Sequence, residues 1–350
     1  MAWGGSESGI IYPMNRKKIL VTGGAGYIGS HMVLALQEAG YKPFVIDNLS
    51  RGHIDSIGSA DFAQVDLRSE EQVKSLFANH QFDAVMHFAA MAYVAESVAN
   101  PVLYYANNVQ GTLNLLTAMS EANRPPLVFS SSCATYGEPQ HLPISEDHPQ
   151  APINPYGQGK YFVESILQDC ALAYGQNSIS LRYFNAAGCD PLGRVGERHE
   201  PETHLIPLVL KEALRIQNGG DPTQTELQVF GRDFETRDGS CIRDFIHVSD
   251  LCRAHLLAVQ RLLSNQTQGA EFFNLANGHG FSVLEVIETC RQVTGQPIQF
   301  QLKERRPGDP VVLVGDATLA ANTLGWTPET SQLSDIVQSA WQWMLQTEPA

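Results

Sequence analysis

No run of apolar residues in this chain of 350 approaches the roughly 20 that a membrane-spanning helix needs. Cysteine is sparse: six residues (Cys133, Cys170, Cys189, Cys241, Cys252 and Cys290) lie scattered without a C-x-x-C pair. That argues against a disulfide frame or a zinc-finger-like site and suits reduced thiols in the cytosol. Basic residues are outnumbered, 23 against 37, for a formal net charge of −14. Nucleic acid and anionic membranes are therefore poor candidates as main partners, although a locally basic pocket can still hold an anionic ligand. Histidines such as His53, His80 and His141 lack H-x-x-x-H or H-x-x-E-H spacing, so no metal centre is expected. There is no internal repeat and no low-complexity tract. The stretch Met1 to Lys18 has no continuous apolar core or cleavage pattern of a secretory signal. It reads as a flexible leader over residues 1–16, with Met14 as the functional start and a cytoplasmic location expected.

What is present is ordinary globular composition, 43% hydrophobic and 17% charged, with enough length for one large domain and a smaller lobe or for two domains. The first half alternates short β-branched runs with longer helical patterns. Strands are expected at Lys18–Thr22, Phe44–Asp47, Phe62–Asp66, Ala84–Phe88, Leu127–Ser130 and Ser178–Arg182. Helices are expected at Tyr27–Ala39 (closed by Gly40), from a Ser69 cap to Asn79, at Val102–Ala122, and from Tyr156 to Tyr174. Repeated β-α-β units specify an α/β fold, a doubly wound parallel sheet of Rossmann type. After Ala187 the alternation loosens into a smaller mixed α/β C-terminal lobe. It has helices at Leu205–Ile216, Val248–Leu262 and Val283–Thr294, strands at Phe272–Leu275 and Ile298–Leu302, and segments near 240–262 returning to the sheet.

Gly23-Gly24-Ala25-Gly26-Tyr27-Ile28-Gly29 follows the first strand and opens the first helix. Backbone N–H groups there, with the helix N-terminus, can hold a pyrophosphate. Asp47 ends the next strand, where a carboxylate can accept from ribose hydroxyls and would repel a 2′-phosphate, so the cofactor is read as NAD. Arg51 nearby reads as solvated. Asp66-Leu67 can meet adenine. Phe88-Ala89-Ala90 either lines the dinucleotide or simply packs in the core.

Tyr156 and Lys160 sit four apart just past Pro155, which puts phenol and ammonium on one helical face. A phenol has a pKa of about 10, so ionising it at pH 7 costs roughly 4 kcal/mol. A lysine charge about 4 Å away at an effective dielectric of about 20 offers a similar attraction. Ser132 lies past the fifth strand, where strand ends face the ligand crevice, and its hydroxyl can bridge a substrate hydroxyl and the phenolate. The competing view is a polar turn at Ser130 to Ser132 and a solvated lysine.

With these motifs the chain resembles the extended short-chain dehydrogenase/reductases, and within them the UDP-glucose (UDP-galactose) 4-epimerase family. The resemblance spans about Lys17 to Gln346. It rests on Val21 to Gly29, Asp47-Asn48-Leu49, Phe88-Ala89-Ala90, Asn107 to Thr112, Ser130-Ser131-Ser132, Pro155-Tyr156-Gly157, Arg182 to Asn185, Arg243 to Val248 and Arg305-Arg306-Pro307-Gly308-Asp309. It implies that Tyr156 deprotonates the sugar 4-hydroxyl, with Ser132 relaying and Lys160 holding nicotinamide ribose. Hydride would pass from C4 to tightly held NAD and return to the other face of a turned 4-keto sugar. Gly23, Gly26, Tyr27, Ile28, Gly29, Asp47, Asn48, Asp66, Leu67, Phe88, Ala89, Ala90, Asn107, Ser130 and Tyr183 would hold the cofactor. Phe184, Asn185, His204, Leu205, Phe230, Arg243, Arg306 and Asp309 would hold the UDP-sugar. Arginines suit diphosphate oxygens, Phe230 can flank uracil, and Asp309 can accept from ribose hydroxyls. For Phe230 core packing competes with this role, for Arg243 and Arg306 plain surface charge, and for Asn185 a strand-end turn. Residues 17–187 would form the NAD-binding domain and 188–350 mainly the UDP-sugar lobe. A homodimer through the helices at 102–122 and 156–174 is implied.

Ala92 stands where many family members carry a cofactor-contacting lysine. Phe88-Ala89-Ala90-Met91-Ala92-Tyr93-Val94 is shared with a branch that includes UDP-xylose/UDP-arabinose 4-epimerases, which leaves hexose or pentose open. Leu313 matches a position near the sugar where small residues accompany N-acetylated substrates. A nucleotide-sugar dehydratase needs an acid beside Ser132, and Cys133-Ala134 stand there instead. A net reductase would have to exchange NADPH, and a non-catalytic NAD-sensing regulator would not need Tyr156 and Lys160.

Overall fold

Six of the expected strands lie side by side in one parallel sheet. In the computed structural model, which describes residues 16–306 and 310–348, they are β1 (Lys18–Thr22), β2 (Lys42–Asp47), β3 (Asp61–Gln64), β4 (Ala84–His87), β5 (Leu127–Ser130) and β6 (Ser178–Tyr183). A seventh strand comes from far down the chain. Among the described residues the strands are, in chain order, β7 (Asn185–Ala187), β8 (Gln228–Phe230), β9 (Ile242–His247), β10 (Ala270–Leu275), β11 (Gly280–Ser282), β12 (Gln301–Lys303) and β13 (Val312–Leu313) after these six. The sheet order is β10-β6-β5-β4-β1-β2-β3, all parallel. Strands buried along their length, such as β4 and β5, need cover on both faces.

The cover on one face is α1 (Tyr27–Glu38) and, later, α8 (Val248–Leu263). On the other face lie α2 (Glu70–Asn79), α5 (Gly111–Glu121) and α6 (Pro155–Tyr174). Ser69 caps α2 through Gln72 N, as its position before Glu70 and Glu71 suggests. A separate core joins α7 (Leu205–Gln217), α9 (Val283–Thr294) and α11 (Leu333–Thr347) in the C-terminal lobe. There β9 pairs with β7, β11 and β13. Both α8 and β10 thus return to the large sheet from beyond Ala187. No helix among the described residues is long and apolar enough to cross a membrane.

Two expected elements differ. The helix expected at 102–122 is α4 (Pro101–Tyr105), a π turn (Ala106–Gln110) and α5, and α3 (Val94–Ala99) precedes it. The Asn108 side chain explains the local widening: it accepts from Met91 N and donates to Met91 O, tying the helix to the end of β4. The strand expected at Ile298–Leu302 shrinks to β12, because Ile298 is buried in the lobe core and its carbonyl accepts from the Arg291 guanidinium. Residues 1–15 of the expected leader lie outside the described residues.

Candidate active site

The glycine loop folds as its spacing requires. Gly23 has φ +68°, and a Cβ there would stand 2.5 Å from Ala89 N. A Cβ on Gly29 would stand 2.2 Å from Gly23 O. These clashes are with backbone, which cannot swing aside. Gly26 caps α1 without any side-chain bond, so the first N–H groups of the helix, those of Tyr27, Ile28 and Gly29, are left to meet an anion. Asp47 stands beside this loop and accepts from Ala25 N (3.2 Å) and Leu49 N (2.8 Å). Burial raises its pKa despite those bonds. The bare cradle and the adjacent carboxylate fit a dinucleotide pyrophosphate and ribose. Asn48 donates to Asp66, and Arg68 holds the Asp66 carboxyl down to about 2. Leu67 is buried, with its carbonyl accepting from Asn114. Phe88 packs on His255 at 4.9 Å between ring centroids, while Ala89 and Ala90 border the loop at half-buried positions. A Gly23→Ala protein should purify without bound cofactor, which the loss of NAD from a deproteinised extract would report.

The second group stands where β5 and β6 end. Asn154 accepts from Gly157 N and starts α6, with Pro155 in its first turn. One turn on, Lys160 reaches back under the sheet and donates to Ser130 O at 2.6 Å. Ser132 accepts from Ala134 N, and its hydroxyl lies near enough to Tyr156 to favour the ionised phenol. Ser130 and Tyr183 share a very short hydrogen bond between their hydroxyls. Ser130, Ser132, Tyr156, Lys160 and Tyr183 thus come together at the ends of β5 and β6 and the start of α6.

The electrostatics differ from expectation. Burial pushes Tyr156 up to about 12, more than the nearby Ser132 hydroxyl offsets. Burial also pulls Lys160 down to about 7, opposed by Glu164. The ammonium aims at a carbonyl and lies 5.8 Å from the Tyr156 ring centre. Desolvation of both ions outweighs the attraction between them, so these two side chains alone favour the neutral phenol. NAD, when bound, brings a hydride-accepting ring that carries positive charge.

Residues expected to hold a nucleotide sugar lie in the C-terminal lobe and at its border. Phe184 is buried against Cys133 and Tyr136, and a Cβ on Gly315 would strike its ring at 2.3 Å. Asn185 donates to Asp244 O, and Arg243 to Pro310 O. The Arg306 guanidinium lies over the Phe230 ring at 4.7 Å. His204 caps α7, which begins at Leu205, and is turned toward Glu197 and Glu202. Asp309 lies outside the described residues. Asn107 sits in the π turn, donating to Asn108.

Three features escaped the sequence reading. Asn108, beside the candidate Asn107, makes the bonds to Met91 described above. Asp244 is fully buried and accepts from Asn277 N, Gly278 N and Gly315 N, with burial raising it to about 7. Glu164 and Arg182 form a buried fork (2.7 and 2.9 Å) that also takes the Ser131 hydroxyl and reaches Tyr136. The only sequence signal for that pair was a lone Glu on the inner face of α6 and a lone Arg in an apolar strand.

A parallel sheet with a glycine-rich first turn, and serine, tyrosine and lysine gathered at strand ends, defines a dinucleotide-binding short-chain dehydrogenase/reductase type of protein. Residues 19–276 match the model of the NAD dependent epimerase/dehydratase family, and the chain belongs to that family. A UDP-glucose 4-epimerase of Halalkalibacterium halodurans is 49% identical over 325 residues, covering 93% of this chain and 95% of its own. The crystal structure of UDP-glucose 4-epimerase from Brucella ovis in complex with NAD is 44% identical, with a TM-score of 0.87 over 93% of this chain and 98% of that one. The Bifidobacterium longum UDP-glucose 4-epimerase in complex with NAD+ and UDP is 36% identical, TM-score 0.87, covering 95% and 99%.

Proposed function

We propose that this protein is an NAD-dependent UDP-glucose 4-epimerase, interconverting UDP-glucose and UDP-galactose by transient oxidation at C4. The observation that carries the reading is the gathering of Ser132, Tyr156 and buried Lys160, whose ammonium donates to Ser130 O, at the mouth of the β5 and β6 strands. Tyr156 accepts the proton of the 4-hydroxyl through Ser132 and later gives it back. Ser132 holds that hydroxyl at a fixed position, since its own oxygen is oriented by Ala134 N. Lys160, at about 7, supplies positive charge at the buried Ser130 carbonyl. Asn185, Leu205, Phe230, Arg243, Arg306 and Asp309 bind the UDP portion, so the C-terminal lobe serves the substrate and the large sheet the cofactor. We place the protein in the cytoplasm.

Leu313 pairs in register with Arg243 and packs on the Phe184 cluster below Ser132. A leucine there narrows the sugar site and favours an unsubstituted hexose over an N-acetylated one. UDP-galactose, UDP-xylose and UDP-N-acetylgalactosamine assayed side by side should rank with the hexose first. Faster turnover of the pentose would make this a pentose epimerase, and no turnover of any of them would sink the enzymatic reading.

We infer a homodimer from the helices α3, α4 and α6. Val98, Val102 and Leu172 are 63%, 80% and 89% exposed, with Leu103 and Phe162 partly bare on the same group of helices. Single exposed apolar residues are ordinary, but a set on neighbouring helices marks an interface. Val102→Glu with Leu172→Glu should shift the mass measured by light scattering from two chains to one. A wild-type protein of one chain mass would refute the inference.

A further inference from the structure

The loop that enters α7 brings together Glu197, His199, Glu202 and His204, in the spacing E-x-H-x-x-E-x-H. All four donor atoms lie within 4.8 Å of one another. His199 Nδ1 is 2.9 Å from Glu197 and 3.9 Å from Glu202, and His204 Nδ1 is 3.0 and 2.8 Å from the same two carboxylates. In a tetrahedral zinc site with bonds of about 2.0–2.1 Å, donors stand about 3.3 Å apart, so this spread needs only small adjustment.

A second observation is the burial of the two carboxylates. Their side chains are 7% and 4% exposed. No lysine or arginine among the described residues pairs with either; Arg198, between them in sequence, is turned to Asp55 at 2.7 Å. Two nearly dry negative charges need matching positive charge, and only the two imidazoles are at hand. Those rings stand 4.8 Å apart at their centroids, so charging both sets two cations side by side.

We propose that Glu197, His199, Glu202 and His204 bind one divalent transition-metal ion of the zinc class. Two imidazoles and two carboxylates suit Zn2+ in preference to Mg2+ or Ca2+, which take oxygen ligands alone. On binding, each Nδ1 gives its lone pair to the metal, and the protons that His199 and His204 share with the carboxylates leave to solvent. Four protein ligands close a tetrahedral shell, so the ion fastens the loop. That loop joins the two halves of the molecule. His53 bonds Arg198 O, and Tyr27, the first residue of α1, meets the edge of His199 at 6.0 Å. Tyr93 packs on both histidines. The ion would hold the α7 end of the substrate lobe against the glycine-loop end of the sheet.

The test takes the full chain with its NAD, strips metal with a chelator and titrates Zn2+ by calorimetry. One equivalent per chain is expected, with affinity lowered at least about 100-fold in His199→Ala/His204→Ala and unchanged in His141→Ala. A stoichiometry well below one, or equal binding by the double variant, overturns the proposal. Should the double variant fail to fold, Co2+ added to the unaltered protein decides. The intense visible bands of tetrahedral cobalt support the site, and weak octahedral bands or none overturn it. Neither reading depends on epimerase turnover.

Discussion

Replacing Tyr156 with phenylalanine should leave NAD bound and lower C4 epimerisation by about a hundred- to ten-thousand-fold. The expectation follows from what the substitution leaves intact. The ring of residue 156 keeps its place beside Lys160, Lys160 keeps its bond to Ser130 O, and the glycine loop lies on other elements. Only the proposed proton acceptor for the 4-hydroxyl is lost. Single-turnover measurements with UDP-galactose, together with NAD content from the absorbance of the denatured protein, separate the two effects. Near-normal turnover in a variant that still carries NAD would remove Tyr156 from the mechanism. Because burial holds the phenol near 12, the unaltered enzyme relies on charge introduced with its ligands to draw the proton across.

The largest effect on stability is expected at Arg182. Burial opposes its charge, and the fork to Glu164 more than offsets this, so the guanidinium stays charged. Arg182→Leu would strand the Glu164 carboxylate in the core and leave Tyr136 and Ser131 with a rearranged partner. Breaking such a buried pair costs about 3–5 kcal/mol, roughly 4–7 °C in the midpoint of thermal unfolding for a chain of this length. Arg182→Met/Glu164→Leu removes both charges together and should recover much of that loss. Activity should recover less than stability, because Ser131 neighbours Ser132 and loses its Glu164 anchor in the double variant. Equal midpoints for the single and double variants would show that the stranded charge is not the cause.

Much of the fold could be read before any coordinates. The β1, α2, β5 and α9 boundaries coincide with the apolar runs and caps, because each has a strong local signal: a buried β-branched stretch, Ser69, or the Ser282 box with Glu285. The glycine loop and the Tyr156–Lys160 spacing were legible for the same reason, since backbone crowding and helical geometry act over a few residues. What stayed hidden depends on partners far along the chain. Asn108 widens its helix through Met91, 17 residues earlier. The failure of Ile298 to extend a strand comes from Arg291 wrapping the chain end. The expected balance of charge at Tyr156 overlooked the Ser130 carbonyl that claims Lys160. Desolvation of both groups could not be gauged from spacing.

The placement of β10 has a consequence for how the molecule is made. β6, which carries Tyr183 at its end, is flanked by β5 on one side and by β10 on the other. Until synthesis has passed Leu275, β6 presents a bare row of amide and carbonyl groups, an adhesive seam open to other chains. The nascent polypeptide therefore carries that exposed border through nearly a hundred further residues, and α8, emerging just before β10, shields one face first. The late-arriving strand makes completion of the large sheet wait for most of the C-terminal lobe, so neither matures alone on the ribosome.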